Sequence, residues 1–317
     1  MAKAFFYNQG LENLSNSMKG NENIYLGIRP YGFHAGNKIP FLVYPYLICK
    51  HLEARGIAPA LKLWLFINDW EQDAFDTTVV DNSQHPFNVI PKFTTFQFTG
   101  YADGGGGIVD YWETEIIQSV LLLKKHFSGI QIRTVRNSHM RDNPAMKDVV
   151  LKTISNPQLV RNVLQQATGK IILDTPLSYC KPICPKCRAA KTESTVHGED
   201  EISLTCTHCG LEGSYNYHLL HYWLYHKPLA LPRIQEFKID ICITGGDHYR
   251  EGDFDSRSQL FKAYGMEIPN IRTLYTPTLV GRNGLPMGKS KGNYEDLDFD
   301  FLLQLIGEQK DKSHVYL

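Results

Sequence analysis

The spacing of apolar residues changes twice between residues 23 and 67. Residues 23–29 (NIYLGIR) predict a strand. A glycine-containing loop over 30–37 follows, and the pattern over 38–54 predicts a helix that Gly56 stops. Pro40 fits the first turn of such a helix, whereas Pro45 bends it. The unbroken apolar run 60–67 (ALKLWLFI) predicts a buried strand. Strand, helix and strand joined by short loops form a βαβ unit, with parallel strands and a right-handed crossover.

Residues 70–110 hold short β-like pieces (FTTFQFTGY) and four consecutive glycines at 104–107. The glycines read as a loop, because no Lys-Ser or Lys-Thr follows to complete a phosphate cradle. Downstream, the pattern predicts a helix over 111–126, a strand over 130–135 and one or two helices over 143–166, and 171–174 opens the cysteine segment. A helix over 217–225, a strand over 239–244, a helix over 256–263, strands near 271–280 and a closing helix over 298–307 complete the chain. The first 20 residues are Asn-rich and weakly patterned, and read as a frayed start or a cap on the fold. The whole is an α/β chain with a compact insertion between two βα halves.

The seven cysteines refine this picture. Cys184-Pro-Lys-Cys187 and Cys206-Thr-His-Cys209 are separated by 18 residues, the spacing of a zinc ribbon. Each CxxC turns two sulfurs toward one ion, and two such knuckles complete a closed tetrahedral thiolate site of structural type. Cys180 and His208 lie close by as alternative ligands; Cys49 and Cys242 sit in apolar elements and read as core residues. An odd cysteine count with two close pairs points to metal binding in a reducing compartment rather than to disulfides. The N-terminus has no secretory signal and no apolar run reaches the roughly 18 residues of a membrane helix, so a cytoplasmic protein with no membrane partner is expected.

With 33 basic and 33 acidic residues, the formal net charge is zero, which argues against a surface that clings to nucleic acid throughout. A local basic stretch (Arg133, Arg136, His139, Arg141, Lys147) reads equally as a nucleic-acid contact or a solvated face.

Two loops carry the chemistry. In Gly32-Phe33-His34-Ala35-Gly36-Asn37, a helix start offers backbone N–H groups to phosphate, Gly36 permits close approach, and His34 and Asn37 donate hydrogen bonds. Near the C-terminus, 284–293 (GLPMGKSKGN) is a glycine-rich basic loop whose lysines and serine can follow charge growing on a transferring phosphate.

Together these motifs resemble the class I aminoacyl-tRNA synthetases. HAGN is similar to their H-x-G-H/N motif and PMGKSKGN to their K-M-S-K-S loop, in the same order. Among them the resemblance is nearest to the class I lysyl-tRNA synthetases, which also carry a cysteine-rich zinc-binding insertion and a G-K-D-H segment, here Gly245-Gly246-Asp247-His248. The resemblance covers residues 22–295. It implies a Rossmann-like parallel sheet split by an insertion that contains a zinc ribbon: a first half over 1–69, an inserted region over 70–235 with the ribbon at 178–216, and a second half over 236–317 with a mobile loop at 284–293.

It further implies activation of an amino acid by ATP with Mg2+, giving an aminoacyl adenylate and pyrophosphate, followed by transfer to tRNA or another acceptor. By position, His34 and Asn37 hold the phosphates, Gly32, Gly36, Gly246 and His248 lie at the nucleotide with Gly36 beneath adenine, and Asp247 faces the ribose side. Met287, Lys289 and Ser290 belong to the closing loop, with Lys289 on the leaving pyrophosphate, while Zn2+ is held by Cys184, Cys187, Cys206 and Cys209.

This chain departs from the pattern in three places. One residue, Phe33, separates Gly32 from His34 where the family has two; Pro286 and Gly288 replace the loop's first lysine and its serine. Residues 294–317 have room for one helix and a tail, not an anticodon-reading domain, so a separate carrier or acceptor protein enters as a partner.

Lysine as substrate calls for a buried carboxylate opposite its ammonium. Asp69, Glu71 and Asp73, beyond the second strand, read either as that group or as a solvated acidic loop. Tyr215, Tyr217, Tyr222, Trp223 and Tyr225 read as a pocket wall or a core helix. The rival to an enzyme is a synthetase-derived protein that senses amino acid, nucleotide or tRNA without catalysis, a reading favoured by Pro286 and Gly288.

Overall fold

The computed structural model describes residues 3–30, 33–71, 78–79, 89–90, 95–98, 107–168, 179–250, 252–287, 295, 297–309 and 312–317. At its centre six strands form one sheet: β1 (Lys3–Phe6), β2 (Asn23–Ile28), β3 (Lys62–Ile67), β4 (Gln131–Arg136), β5 (Ile241–Gly245) and β6 (Arg272–Thr276). Every neighbouring pair is parallel, in the order β1-β6-β5-β2-β3-β4. The chain builds outward from β2 through β3 to β4. It then returns to the other side of β2 as β5 and continues to β6, so the strand order reverses between β2 and β5.

The period-2 alternation of side chains divides the core into two layers. Ile24, Leu26 and Ile28 of β2, Leu63, Leu65 and Ile67 of β3, and Ile241 and Ile243 of β5 face one layer. There they meet helices α1 (Tyr7–Asn16), α2 (Tyr44–Ala54) and α3 (Ile108–Val120). Phe66 and Cys242, with Tyr25 and Trp64 beside them, face the other layer. That layer is covered by α4 (Pro144–Ser155), α5 (Leu159–Thr168), α6 (His226–Glu236) and α7 (Asp253–Ala263). A last helix, α8 (Phe299–Glu308), returns to the first layer through Leu302, Leu305 and Ile306. Sheets buried on both faces need nearly continuous apolar strands, as in KLWLFI.

Several expected elements differ in instructive ways. The weakly patterned N-terminus supplies both an edge strand, β1, and helix α1. Four residues of β1 pair only with β6, an arrangement fixed by the distant partner rather than by local pattern. The expected helix over 38–54 is three pieces: a short turn at Ala35–Lys38, a π-helical turn at Ile39–Val43, and α2. Pro40 and Pro45 each lack an N–H, so the ordinary i→i−4 ladder is interrupted twice. Residues 131–136, placed in the inserted region from the sequence, form the edge strand β4 of the main sheet, paired with β3 along its whole length.

The helix expected over 217–225 is absent. A 3-10 turn (Tyr217–Leu219) leads to a strand, Tyr222–Leu224, paired antiparallel with Cys180–Pro182. The helix lies directly afterwards as α6, where Pro228 and Pro232 hide it from a pattern-based reading. Within 70–110 the described pieces are Thr78–Val79 paired with Val89–Ile90 and a 3-10 turn at Phe96–Phe98. Residues 171–174 and Gly104 to Gly106 lie outside the described residues. The tail adds a strand, His314–Tyr316, parallel to Thr278–Val280. Among the described residues no helix is long and apolar enough to cross a membrane.

One buried cation joins the two layers' builders. Arg233 of α6 is fully buried, donates to Tyr25 Oη at 2.8 Å and to Asn68 Oδ1 at 2.7 Å, and lies over the Phe66 ring at 5.2 Å. Burial pushes the Tyr25 phenol up from its usual range, and Arg233 opposes that rise. Replacing Arg233 with Met removes both hydrogen bonds and strands their acceptors, so R233M is expected to cost about 3 kcal/mol in urea unfolding; a loss within about 0.5 kcal/mol contradicts this role.

Candidate active site

In an open parallel sheet, ligands bind beyond the carboxyl ends of the strands where strand order reverses. Here that crevice lies between β2 and β5, which pair through Ile24 with Ile241 and Tyr25 with Cys242. The loop after β2 contains His34 to Asn37, and the turn after β5 contains Gly246 to His248. Two motifs over 200 residues apart in sequence thus leave the same edge of the sheet from adjacent strands.

His34 caps the short helix Ala35–Lys38: its Nδ1 accepts from the Gly36 N–H at 3.1 Å, and its carbonyl accepts from Asn37 N–H at 2.8 Å. With Nδ1 as acceptor, a neutral imidazole carries its proton on Nε2 and presents a donor. Gly36 suits this geometry, since a Cβ there meets His34 Cε1 at 3.0 Å and Nδ1 at 3.2 Å and pushes the ring by a few tenths of an ångström. Gly36 therefore shapes the histidine itself, a role the sequence reading did not contain. Gly32 lies outside the described residues.

On the facing side, β5 ends in Gly245, where a Cβ collides with the Asp247 carboxylate. A Cβ on Gly246 meets the Thr276 carbonyl at 3.0 Å. Asp247 is exposed in the first turn of the Gly246–Arg250 helix. The His248 ring stands 6.1 Å from that of His226, edge to face, and His226 lies 4.2 Å from Tyr225.

The third part is the basic loop. Lys289 and Ser290 lie outside the described residues, but both ends of the loop are fixed. Met287 N–H donates to Leu279 O at 2.8 Å, Pro286 bridges Val280, and Gly284 turns the chain with φ +75°. Beyond it, Ala35 N–H donates to Glu295 O at 3.3 Å and Lys38 Nζ to Leu297 O at 3.0 Å. The helix opened by His34 is thus bonded to the segment just after the basic loop.

Beyond β3 the acidic residues are not a solvated loop. Asp69 and Glu71 are 1% and 3% exposed, while Asp73 lies outside the described residues. Glu71 Oε2 accepts from Arg29 Nε at 2.5 Å, and its Oε1 is buried with no hydrogen-bond partner among the described residues. Asp69 Oδ1 accepts from Ser138 N–H at 3.1 Å. Burial pushes the Asp69 carboxyl up, opposed by Ser138 and by the charges of Arg233 and Arg136. Next to them Asn137 is fully buried, and neither of its amide atoms has a hydrogen-bond partner among the described residues. Asn137 was missed from sequence, since nothing local distinguishes it from a turn asparagine. The aromatic residues form no core helix: Tyr222 packs on Trp70 at 5.6 Å and stacks on Tyr217 at 5.0 Å, while Tyr225 meets Tyr179 at 5.2 Å. The basic stretch is largely compensated, with Arg136 paired to Asp110 and Glu113, Arg141 to Asp142 and Lys147 to Asp200.

The ribbon is a three-stranded antiparallel sheet, Thr192–His197, Glu201–Cys206 and Glu212–Asn216. Its knuckles bring the sulfurs of Cys184, Cys187, Cys206 and Cys209 within 4.8 Å of one another. Cys184–Cys209 and Cys187–Cys206 sulfurs stand 3.6 Å apart, far beyond a disulfide bond. Four thiolates about 2.3 Å from one zinc ion lie about 3.8 Å from each other, so the donor set fits. Burial works against the Cys206 thiolate, but the N–H groups of Cys209 and His208 and the neighbouring thiols bring it down to about 7. Cys180 is buried in the strand Cys180–Pro182, outside this cluster, and burial pushes its thiol up. Cys49 and Cys242 are core residues.

Comparison with known proteins adds the family. No curated protein sequence matches the chain significantly. Among solved structures it is similar to Leishmania major tyrosyl-tRNA synthetase in complex with tyrosinol (12% identity, 95% of this chain and 34% of that one, TM-score 0.45). It is also similar to Mycobacterium tuberculosis methionyl-tRNA synthetase in complex with methionyl-adenylate (11% identity, 88% and 61%, TM-score 0.39). A third is glutamate-tRNA synthetase from Elizabethkingia anophelis (14% identity, 86% and 53%, TM-score 0.37). The chain spans about a third of the length of the tyrosyl enzyme. The family model described as tRNA synthetases class I (K) matches residues 115–299, more than half of the chain, and the protein belongs to the class I tRNA synthetases.

Proposed function

We propose that this chain joins an amino acid to ATP, releasing pyrophosphate and forming an aminoacyl adenylate, and that the amino acid is lysine or a close relative. The observation that carries the reading is the meeting, at one edge of the sheet, of the His34 helix start, the Gly246–Asp247–His248 turn and the anchored ends of the basic loop. A carboxylate oxygen attacks the α-phosphorus, and the bond to the β-phosphate oxygen breaks. His34 Nε2 and the Asn37 amide donate to phosphate oxygens as charge moves toward the leaving group, with Gly32 and Gly36 leaving room for the nucleotide. Asp247 accepts from the ribose, between Gly246 and His248. Met287 fixes the base of the loop that carries Lys289 and Ser290, and Lys289 follows the pyrophosphate. ATP enters as its magnesium complex. Catalysis of this kind is positioning and charge stabilisation, with no covalent enzyme intermediate.

Lysine is supported by the buried carboxylates beyond β3. Glu71 Oε1 needs a donor, which a substrate ammonium supplies. Arg29 and Arg233 balance Glu71 and Asp69 before any ligand arrives, and the Arg29 side chain, 49% exposed, is solvated. The acceptor is a tRNA, as the family implies, or another molecule presented by a separate protein. Zinc is assigned to Cys184, Cys187, Cys206 and Cys209, where it closes the ribbon. Pro286 and Gly288 favour a second reading, a domain that binds ATP or amino acid without turnover.

The test is amino-acid-dependent exchange of pyrophosphate into ATP across the standard amino acids, with and without total tRNA. Exchange with lysine is expected, and ATP binding without exchange in any well moves the conclusion to the second reading. In E71Q the KM for lysine is expected to rise at least about tenfold while that for ATP holds, since a charge-assisted hydrogen bond is weakened; an unchanged lysine KM removes Glu71 from recognition. Metal analysis is expected to return one zinc per chain, lost in C206S together with resistance of the ribbon to proteolysis. Zinc retained in full by C206S contradicts the assignment.

A further inference from the structure

We propose that the zinc ribbon sets the amino-acid end of the site through Arg188, making Arg188 and Phe98 positioning residues for substrate recognition. The inference rests on the placement of amino-acid recognition at Asp69 and Glu71. Arg188 immediately follows Cys187, and the knuckle fixes its backbone: its N–H donates to Cys184 O at 3.0 Å, and its φ is +63°. From there the guanidinium lies over the Phe98 ring at 4.8 Å, within cation–π range. Phe98 also packs on Ile183, Ala190 and Trp223, all at the ribbon's base.

Phe98 closes the 3-10 turn whose backbone holds the acidic segment. Phe96 N–H donates to Glu71 O at 3.0 Å, and Gln97 N–H donates to Asp69 O at 3.0 Å. The links form one unbroken chain: metal knuckle, Arg188, Phe98, the turn, and the two carboxylate-bearing residues. A second tie runs beside it, since Leu224 N–H donates to Trp70 O at 3.4 Å from the strand paired with Cys180–Pro182. No such chain leads from the ribbon to His34, Gly36 or the anchors of the basic loop among the described contacts. Disturbing Arg188 therefore acts on amino-acid binding and leaves the nucleotide end in place.

The variants are R188A, R188K, which keeps a cation over the ring, and F98L, which keeps apolar volume without the ring. Zinc content is expected to stay at one per chain in all three. In R188A and F98L, amide hydrogen exchange at Phe96 and Gln97 is expected to accelerate about tenfold or more, with R188K close to wild type. In pyrophosphate exchange with L-lysine, KM for lysine rises about tenfold in R188A and F98L, KM for ATP and kcat hold, and R188K recovers most of the loss. Unchanged amide exchange at Phe96 and Gln97 overturns the coupling, as does an ATP KM that rises in step with that for lysine. If no amino acid supports exchange in the wild type, the proposed activity fails, and the amide measurement decides the coupling alone.

Discussion

A guanidinium with no access to water constrains this structure more than any single apolar contact. Arg233 arrives at the end of the long excursion between β4 and β5, and places its charge against Tyr25 of β2 and Asn68 beyond β3. A buried charge is costly unless it is hydrogen-bonded and counter-charge is near; Arg233 is held through its two terminal nitrogens, while its Nε has no hydrogen-bond partner among the described residues. Its two hydrogen bonds tie three elements together: the helix α6 that carries it, the strand β2, and the turn in which Asp69 and Glu71 lie. Because α6 leads directly into β5, the same constraint sets where the returning chain joins the sheet beside β2.

From that junction the site follows. Reversal of strand order leaves a crevice that neighbouring connections cannot fill, and both motifs that open into it depend on glycines at close approaches. Gly36 lets His34 fold back onto its own helix start; Gly245 makes room for the Asp247 carboxylate. The loop ends are fixed from two directions, by Leu279 through Met287 and by Lys38 through Leu297.

Local chemistry was legible and long-range chemistry was not. The CxxC pairs define their cluster because each knuckle is a four-residue unit, and KLWLFI announces a buried strand by composition alone. His34 at a helix start is equally local. Sequence alone does not decide whether Asp69 and Glu71 are buried or a solvated acidic loop, because the arginines that make their burial tolerable come from residues 29 and 233. The strand β1 carries no alternation strong enough to announce it, and it becomes a strand because β6 offers an unpaired edge. Helix α6 was obscured by Pro228 and Pro232, and the tyrosines before it were mistaken for a helix where a short strand pair forms.

The central claim is that the nucleotide end, at the crevice between β2 and β5, and the amino-acid end, beyond β3, make one composite site. It is tested most directly by calorimetry with a non-reactive lysyl-adenylate analogue, compared with ATP and lysine alone. A composite site binds the joined molecule at least about a thousandfold more tightly than the better of its halves, because one binding event engages both ends. An analogue bound no more tightly than ATP alone contradicts the account.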